Sequence, residues 1–174
     1  MLPTRLLILA NLTGLVLRMN DETAALEYGR TALEIAESTG NRYLVSYMKL
    51  HFLRLALRHG DVAAARADLE ASLRIAIGIG RPSLLLEAVS CFAEILAAQG
   101  EPECARLVLG FVAEHPLLNV PERRQARARM AEWTAGAPPE LKWPGIELDE
   151  LVHRIVVESD LAQAPLIAAL RGPS

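Results

Sequence analysis

The sequence predicts an all-α protein, a right-handed α-α superhelix of three helix pairs followed by C-terminal capping helices. Hydrophobic residues make up 52% of the 174 residues and aromatic residues only 5%, so the apolar content is mostly Leu, Ala, Ile and Val. Alanine and leucine are strong helix formers. The turn Asn20-Asp21 recurs as Gly60-Asp61 and Gly100-Glu101, at equal intervals of 40 residues (61 − 21 and 101 − 61). A fixed period of about 20–50 residues is typical of stacked helical arrays.

Each 40-residue unit is expected to hold two helices joined by this turn. Gly60 and Gly100 can adopt the left-handed conformation that ends a helix, and Asn20 is the next best residue there. The acidic residue that follows each of them supplies negative charge at the start of the next helix. The first helices are predicted at 3–19, 42–59 and 82–99, and the repeats at 1–40, 41–80 and 81–116.

Equivalent positions of the three units carry similar side chains, which form columns. Large apolar residues at helical spacing on the first helices predict a stripe that must be buried. Small residues early in the second helices allow the two helices of a pair to approach closely. The columns are Leu12/Phe52/Phe92, Leu15/Leu55/Ile95, Val16/Ala56/Leu96, Ala24/Ala64/Cys104 and Ala25/Ala65/Ala105.

After Pro116 the period breaks, and residues 117–174 are expected to form a C-terminal cap, since terminal units of solenoids are atypical. We expect a helix that opens at Pro121 and ends at Gly136, a linker over 137–140, and a last sizeable helix after the turn at Trp143. A short helix over 160–170 is expected to be broken at Pro165. The last sizeable helix carries Leu148, Leu151, Val152 and Ile155 at a spacing of three or four residues.

Composition and motif spacing exclude several classes of function. A net charge of −3 argues against nucleic-acid binding. The apolar segment at the N-terminus is too short for a bilayer, which needs about 20 apolar residues, so we expect no membrane partner. The four histidines and two cysteines have no metal-ligand spacing, and no glycine-rich loop predicts a nucleotide site. We therefore expect no metal, no cofactor and no enzymatic activity, and we expect a cytoplasmic protein because the cysteine pattern is not that of a disulfide framework.

The turn with alanine four residues after the acidic position, as in Gly60-Asp61…Ala65, resembles the tetratricopeptide repeat. The 40-residue period is longer than the standard unit of that repeat. It resembles the extended repeats at the C-terminus of bacterial signal-transduction ATPases and transcription regulators of the maltose-regulator type. The segment Trp143, Gly145 and Leu148–Val152 is similar to the end of those repeats. The resemblance implies a sensor or scaffold arm that binds a protein, a peptide or a small-molecule effector.

The same resemblance implies a binding surface, because the first helices of tetratricopeptide pairs line a concave face. Arg54 is suited to a carboxylate or phosphate, Tyr47 to a flat apolar anchor, and Glu87 and Glu94 to a basic group. An alternative interpretation is that the leucines are core and the charges ordinary surface. By column, the partner-binding residues are Leu7, Ala10, Gly14 and Leu17, then Tyr47, Leu50, Arg54 and Leu57, then Glu87, Ser90 and Glu94.

Two further features leave alternatives open. The first helix has no cap, and Leu6 to Leu9 would leave an exposed apolar patch. It therefore predicts either a longer array or a self-assembling module that pairs through this helix, as a homodimer. Four arginines between Arg123 and Arg129 form the densest basic cluster. We interpret this cluster as a solvated face of the cap, with docking of an acidic protein as the functional alternative.

Overall fold

The computed structural model describes residues 2–132, 143–157 and 164–171, and within these ranges every regular element is an α-helix. The predicted all-α class is confirmed. No helix among the described residues is long and apolar enough to cross a membrane. The helices are α1 (Leu2–Arg18), α2 (Glu22–Ser38), α3 (Arg42–Arg58), α4 (Val62–Ile79), α5 (Pro82–Ala98), α6 (Pro102–Glu114), α7 (Val120–Glu132), α8 (Leu148–Val157) and α9 (Ala164–Arg171).

The chain divides into two compact units, Met1–Gly80 and Arg81–Ser174, and the boundary falls at the end of the second predicted repeat. In unit 1, α1 packs on α2, α3 packs on α4, and α3 also contacts both α1 and α2. In unit 2, α5 packs on α6, and α6 contacts α7 and α9. Helices therefore pack in sequential pairs, as expected of a helical repeat protein.

The turns between the helices of each pair have the predicted conformation. Asn20, Gly60 and Gly100 have φ values of 60°, 73° and 83°, in the left-handed region that ends a helix. The carboxylates of Asp21 and Asp61 then accept hydrogen bonds from the backbone N–H three residues later, at 3.0 and 2.9 Å. These bonds satisfy N–H groups that have no partner inside the helix.

Unit 1 is held together by two apolar clusters at the contact of α3 with α1 and α2. One cluster contains Leu6, Ala10, Ala32, Ala36, Leu44 and Met48, and the other contains Leu17, Ala25 and Leu55. The buried face of α2 consists of small residues, and a Cβ atom at Gly29 would lie only 3.2 Å from Cζ of Phe52. The small residues of α2 thus make room for the large residues of α3, as close helix packing requires.

One predicted column differs from the expected pattern at its first member. Leu55 and Ile95 are buried, but Leu15 is 43% exposed. The prediction that this whole column is buried is wrong for Leu15. The physical reason is that α3 has the pair α1–α2 to pack against, whereas among the described residues of unit 1 no helix pair covers the corresponding face of α1.

Unit 2 is built around α5, most of whose residues are buried. Trp143 stacks on Phe111 of α6 with ring centroids 4.5 Å apart, and its indole N–H donates to the carbonyl oxygen of Ile146 at 3.0 Å. The predicted apolar stripe of α8 is buried, as expected.

The C-terminal helix α9 begins one residue before Pro165. Pro165 therefore lies in the first turn of α9, a position to which proline is well suited, and the residues before Ala164, which would test the predicted break, lie outside the described ranges. The predicted helix end at Gly136, the linker over 137–140 and the start of the 160–170 segment lie outside the described residues.

Candidate functional site

Of the four residues of α1 that were predicted to bind a partner, only Leu7 lies on the surface, with 53% of its area exposed. Ala10 and Leu17 belong to the two core clusters of unit 1. Gly14 is buried, and a Cβ atom there would lie 3.0 Å from Cε1 of His51. α1 therefore contributes packing to its unit at three of its four predicted positions.

The residues predicted on α3 are more accessible. Leu50 is fully buried, but Tyr47, Arg54 and Leu57 are each half-buried. They follow one another at spacings of seven and three residues, so they share one face of the helix. α1 and α3 contact each other and both belong to unit 1, so the exposed Leu7 lies in the same compact unit as these three residues.

Sequence reasoning missed Tyr43, which is 39% exposed and precedes Tyr47 by one helical turn. The two rings stack with centroids 6.2 Å apart and an interplanar angle of 5°. The signal was the spacing of four residues, at which side chains on a helix are neighbours. The buried ring of His51 packs against Tyr47 in a T-shaped arrangement, with the two ring centroids 4.6 Å apart. We call Tyr43, Tyr47, Arg54 and Leu57 the α3 face.

At the C-terminal end of α3, a cluster of ion pairs and hydrogen bonds attaches this helix to the first helix pair. The guanidinium of Arg58 donates to the carbonyl oxygen of Leu17 at 2.5 Å and lies 3.9 Å from the carboxylate of Glu22. The imidazole of His59 lies 3.1 Å from the same carboxylate. These contacts hold α3 against α1 and α2, so the α3 face is carried by a helix that is anchored in its unit.

The residues predicted on α5 are used mostly inside unit 2. Ser90 is buried, and its hydroxyl donates to the carbonyl oxygen of Leu86 at 3.0 Å. Glu94 forms an ion pair with Arg129 of α7 at 2.6 Å, with both side chains mostly shielded from solvent. Glu87 is half-buried. Of the three residues predicted to bind a partner on α5, Glu87 is thus the one whose position best agrees with the predicted surface location.

Three of the four clustered arginines make contacts within unit 2. Arg127 pairs with Glu114 at 2.8 Å, and its hydrogen bond and charge lower the pKa of that carboxyl. Arg123 lies 3.4 Å from the carbonyl oxygen of His115, and Arg129 pairs with Glu94. These contacts join α7 to α5 and to the C-terminal end of α6, so part of the cluster that was interpreted as a solvated face is used in packing within unit 2.

The two cysteines have the surroundings of packing residues. Cys91 and Cys104 are both buried and have free thiols. Burial raises the pKa of the Cys104 thiol, and the charge of Glu101 raises it further. A raised pKa lowers the fraction of thiolate, which is the nucleophilic form. Within the described ranges, no three His, Cys, Asp or Glu residues are grouped so that they could hold a metal ion.

No family model, curated protein or solved structure compared with the chain matches it. The structure itself defines the class, which is an all-α protein whose helices pack in sequential pairs. On this scaffold the α3 face combines two stacked phenol rings with a guanidinium and an aliphatic side chain. Such a surface can bury an apolar group and hydrogen-bond an anionic one.

Proposed function

We propose that the chain is a protein-recognition module that binds an extended acidic peptide segment of a partner through the α3 face. The observation that supports this proposal is the accessible stack of Tyr43 and Tyr47 on the same helix as Arg54. Tyrosine and arginine are enriched among the residues that dominate binding energy at protein interfaces.

The side chains of the α3 face set the chemistry of the partner segment. Rings that are already stacked lose little conformational freedom on binding, so their apolar area contributes to affinity at low entropic cost. A guanidinium has five N–H donors, so Arg54 can hydrogen-bond a carboxylate in addition to its contacts within the chain. The expected ligand motif is an aromatic or aliphatic residue with Asp or Glu within a few residues of it.

The cellular role follows by resemblance. We propose that the chain is the sensor or scaffold arm of a bacterial signalling or transcription regulator of the tetratricopeptide type, whose effector domain lies elsewhere. A cytoplasmic location fits this role and fits two buried free cysteines, since thiols stay reduced there. Glu87 on α5 is a separate contact point for a basic group of the partner.

The experiment is selection of binding peptides from a random twelve-residue display library against the whole chain. The proposal predicts enrichment of peptides that combine Asp or Glu with an aromatic or large aliphatic residue. The same selection is run against the double variant Tyr47→Ala Arg54→Ala, for which this enrichment should disappear.

The matched control is the double variant Tyr28→Ala Arg30→Ala, which removes the same two residue types from α2. It should select the same peptides as the wild type. Circular dichroism of all three proteins verifies that they remain folded. An enrichment that survives the loss of Tyr47 and Arg54, or no enrichment at all, would contradict the proposal.

A further inference from the structure

The C-terminal helix α9 is a short amphipathic helix, and α6 is the helix that it contacts most extensively. It has 8 residues, and its leucines Leu166 and Leu170 are 0% and 1% exposed. These two leucines are four residues apart, so they lie on one face of the helix. Pro165, Ala168 and Arg171 are exposed. The two leucines therefore form the apolar anchor by which α9 is attached to unit 2.

A polar cluster joins the end of α9 to the start of α6. One guanidinium nitrogen of Arg171 donates to both carboxylate oxygens of Glu101, at 2.7 and 2.6 Å. Glu101 is the N-cap residue of α6, and its carboxylate also lies 3.9 Å from the Sγ atom of Cys104. We call the surface of α6 that carries Glu101 and Cys104 the α9-binding surface.

The thiol of Cys104 is covered although it lies in the first turn of α6. Its residue is only 1% exposed. Burial raises the pKa of the thiol, Glu101 raises it further, and Arg171 acts in the opposite direction. The thiol is therefore close enough to α9 to respond to the charge of its last residue. We expect detachment of α9 to bring this thiol into contact with solvent.

The contacts of α9 are of the kind that break without unfolding of the rest of unit 2. Isolated helices shorter than about 12 residues are marginal in water, so α9 depends on α6 for its structure. Its ion pair lies at the surface, with the Arg171 side chain 58% exposed, and such pairs stabilise only modestly. Elements with few buried contacts open locally at lower free energy than the core. Detachment of α9 would leave the contacts of α6 with α5 and α7 in place.

We infer that α9 is an autoinhibitory helix, which a partner helix of the same pattern displaces from the α9-binding surface. The pattern is two leucines four residues apart with an arginine directly after the second, as in Leu166, Leu170 and Arg171. The negative charge of Glu101 is complementary to that arginine and fixes the direction of the partner helix. While α9 is bound, the apparent affinity for the partner is reduced in proportion to the open fraction. This surface belongs to unit 2 and the α3 face to unit 1, so the inference does not depend on the function proposed above.

The first experiment measures detachment of α9 in the whole chain by the rates at which the two free cysteines react with a maleimide. Cys104 should react at least about tenfold faster than Cys91, which is buried in α5, because local opening costs less free energy than unfolding. This comparison requires no substitution, and mass spectrometry of the digested protein separates the two sites.

A substitution at the end of α9 tests whether this helix covers the thiol. Arg171→Glu should speed the reaction of Cys104 about fivefold or more, because it replaces an ion pair with two like charges. The reaction of Cys91 should be unchanged, and Arg171→Gln should have a smaller effect of the same sign. The matched control is Arg154→Glu, which breaks an ion pair within α8 and should change neither rate. Circular dichroism verifies that the variants remain folded.

The second experiment tests the α9-binding surface with a fluorescein-labelled synthetic peptide of residues 158–174. The peptide should bind the Arg171→Glu chain at least about fivefold more tightly than the wild type, because the chain's own α9 competes less. Saturating peptide should also slow the reaction of Cys104 in the Arg171→Glu chain. The same peptide carrying Arg171→Glu should bind more weakly to both chains.

Three results would overturn the inference. Equal reaction rates for Cys104 and Cys91 would show that both thiols are exposed only by unfolding of the unit. A rate for Cys104 that Arg171→Glu leaves unchanged would show that α9 does not cover this thiol. A peptide that binds the Arg171→Glu chain no better than the wild type, or that binds it without protecting Cys104, would show that the α9-binding surface does not accept a helix from another molecule.

Discussion

The two helix pairs of unit 1 share one sequence register but differ in what surrounds them. Leu44, Met48 and Leu55 of α3 are buried against the first pair, whereas Thr4, Ile8 and Leu15 at the equivalent positions of α1 are exposed. The register therefore determines which face of a helix is suited to packing. Whether that face is buried depends on the presence of a neighbouring pair.

The pairs also differ in the side chains that face solvent. On α3, Tyr47 and Arg54 are half-buried surface residues, and at the equivalent positions α1 carries Leu7 and Gly14. Gly14 is closely covered by His51. The first pair is thus suited to packing contacts with another helix, and the second pair is suited to polar and aromatic recognition. Each prediction below tests one part of this difference.

The largest effect is expected where the register is the same and burial is opposite. Met48→Ala should lower the free energy of unfolding by about 2–5 kcal/mol, because it leaves a cavity in the core of unit 1. Ile8→Ala should change that free energy by less than about 0.5 kcal/mol. Urea unfolding followed by circular dichroism measures both, at low protein concentration so that association does not contribute. Equal losses would contradict the difference in burial.

A smaller effect is expected at the close approach of α2 and α3. The equivalents of Gly29 are Leu69 and Leu109, yet a Cβ atom at Gly29 would lie 3.2 Å from Phe52 and 3.3 Å from Thr13. Gly29→Leu should therefore lower the free energy of unfolding by about 1–3 kcal/mol through overpacking.

The control for this substitution is Gly110→Ala on α6, where a Cβ atom would make only an ordinary contact with Met130 at 3.7 Å. It should raise the free energy of unfolding by up to about 1 kcal/mol through helix propensity alone. If Gly29→Leu were also stabilising, the small residues of α2 would not be needed to receive α3.

The caps of the second helices should behave alike in both pairs. Asp21→Ala and Asp61→Ala should each lower the free energy of unfolding by about 1 kcal/mol, because each removes a hydrogen bond to a backbone N–H at the helix start. Asp21→Asn and Asp61→Asn keep an acceptor oxygen and should retain most of that stability. Thermal unfolding compares the four variants. If the loss of unfolding free energy differed between Asp21→Ala and Asp61→Ala by about 1 kcal/mol, the two turns would not be equivalent.

The smallest effect is expected at the turn residues. Asn20 and Gly60 both have positive φ, where glycine is less strained than asparagine. Asn20→Gly should raise the free energy of unfolding by roughly 0.5 kcal/mol and Gly60→Asn should lower it by a similar amount. Thermal unfolding measures both variants, and a change of the opposite sign in either would contradict this account of the turns.

Local features were predictable from the sequence because their chemistry is local. The left-handed residues Asn20, Gly60 and Gly100 and the caps at Asp21 and Asp61 depend only on their own neighbours in the chain. The exposure of Leu15 was not predictable, because it depends on whether another helix pair is present. Ser90 and Glu94 were predicted on the surface, but Ser90 is buried and Glu94 is paired with an arginine 35 residues away. Tyr43 could have been found from its spacing to Tyr47.

The difference between the two pairs is tested most directly by the affinity of one acidic peptide from the library selection. Its dissociation constant, measured by fluorescence anisotropy, should rise at least about tenfold for Tyr47→Ala Arg54→Ala, which corresponds to about 1.4 kcal/mol. Ile8→Glu Leu15→Glu, which alters only α1, should leave the affinity for a single peptide unchanged. The opposite pattern, with loss of affinity on changing α1 and none on changing α3, would show that recognition does not lie on the second helix pair.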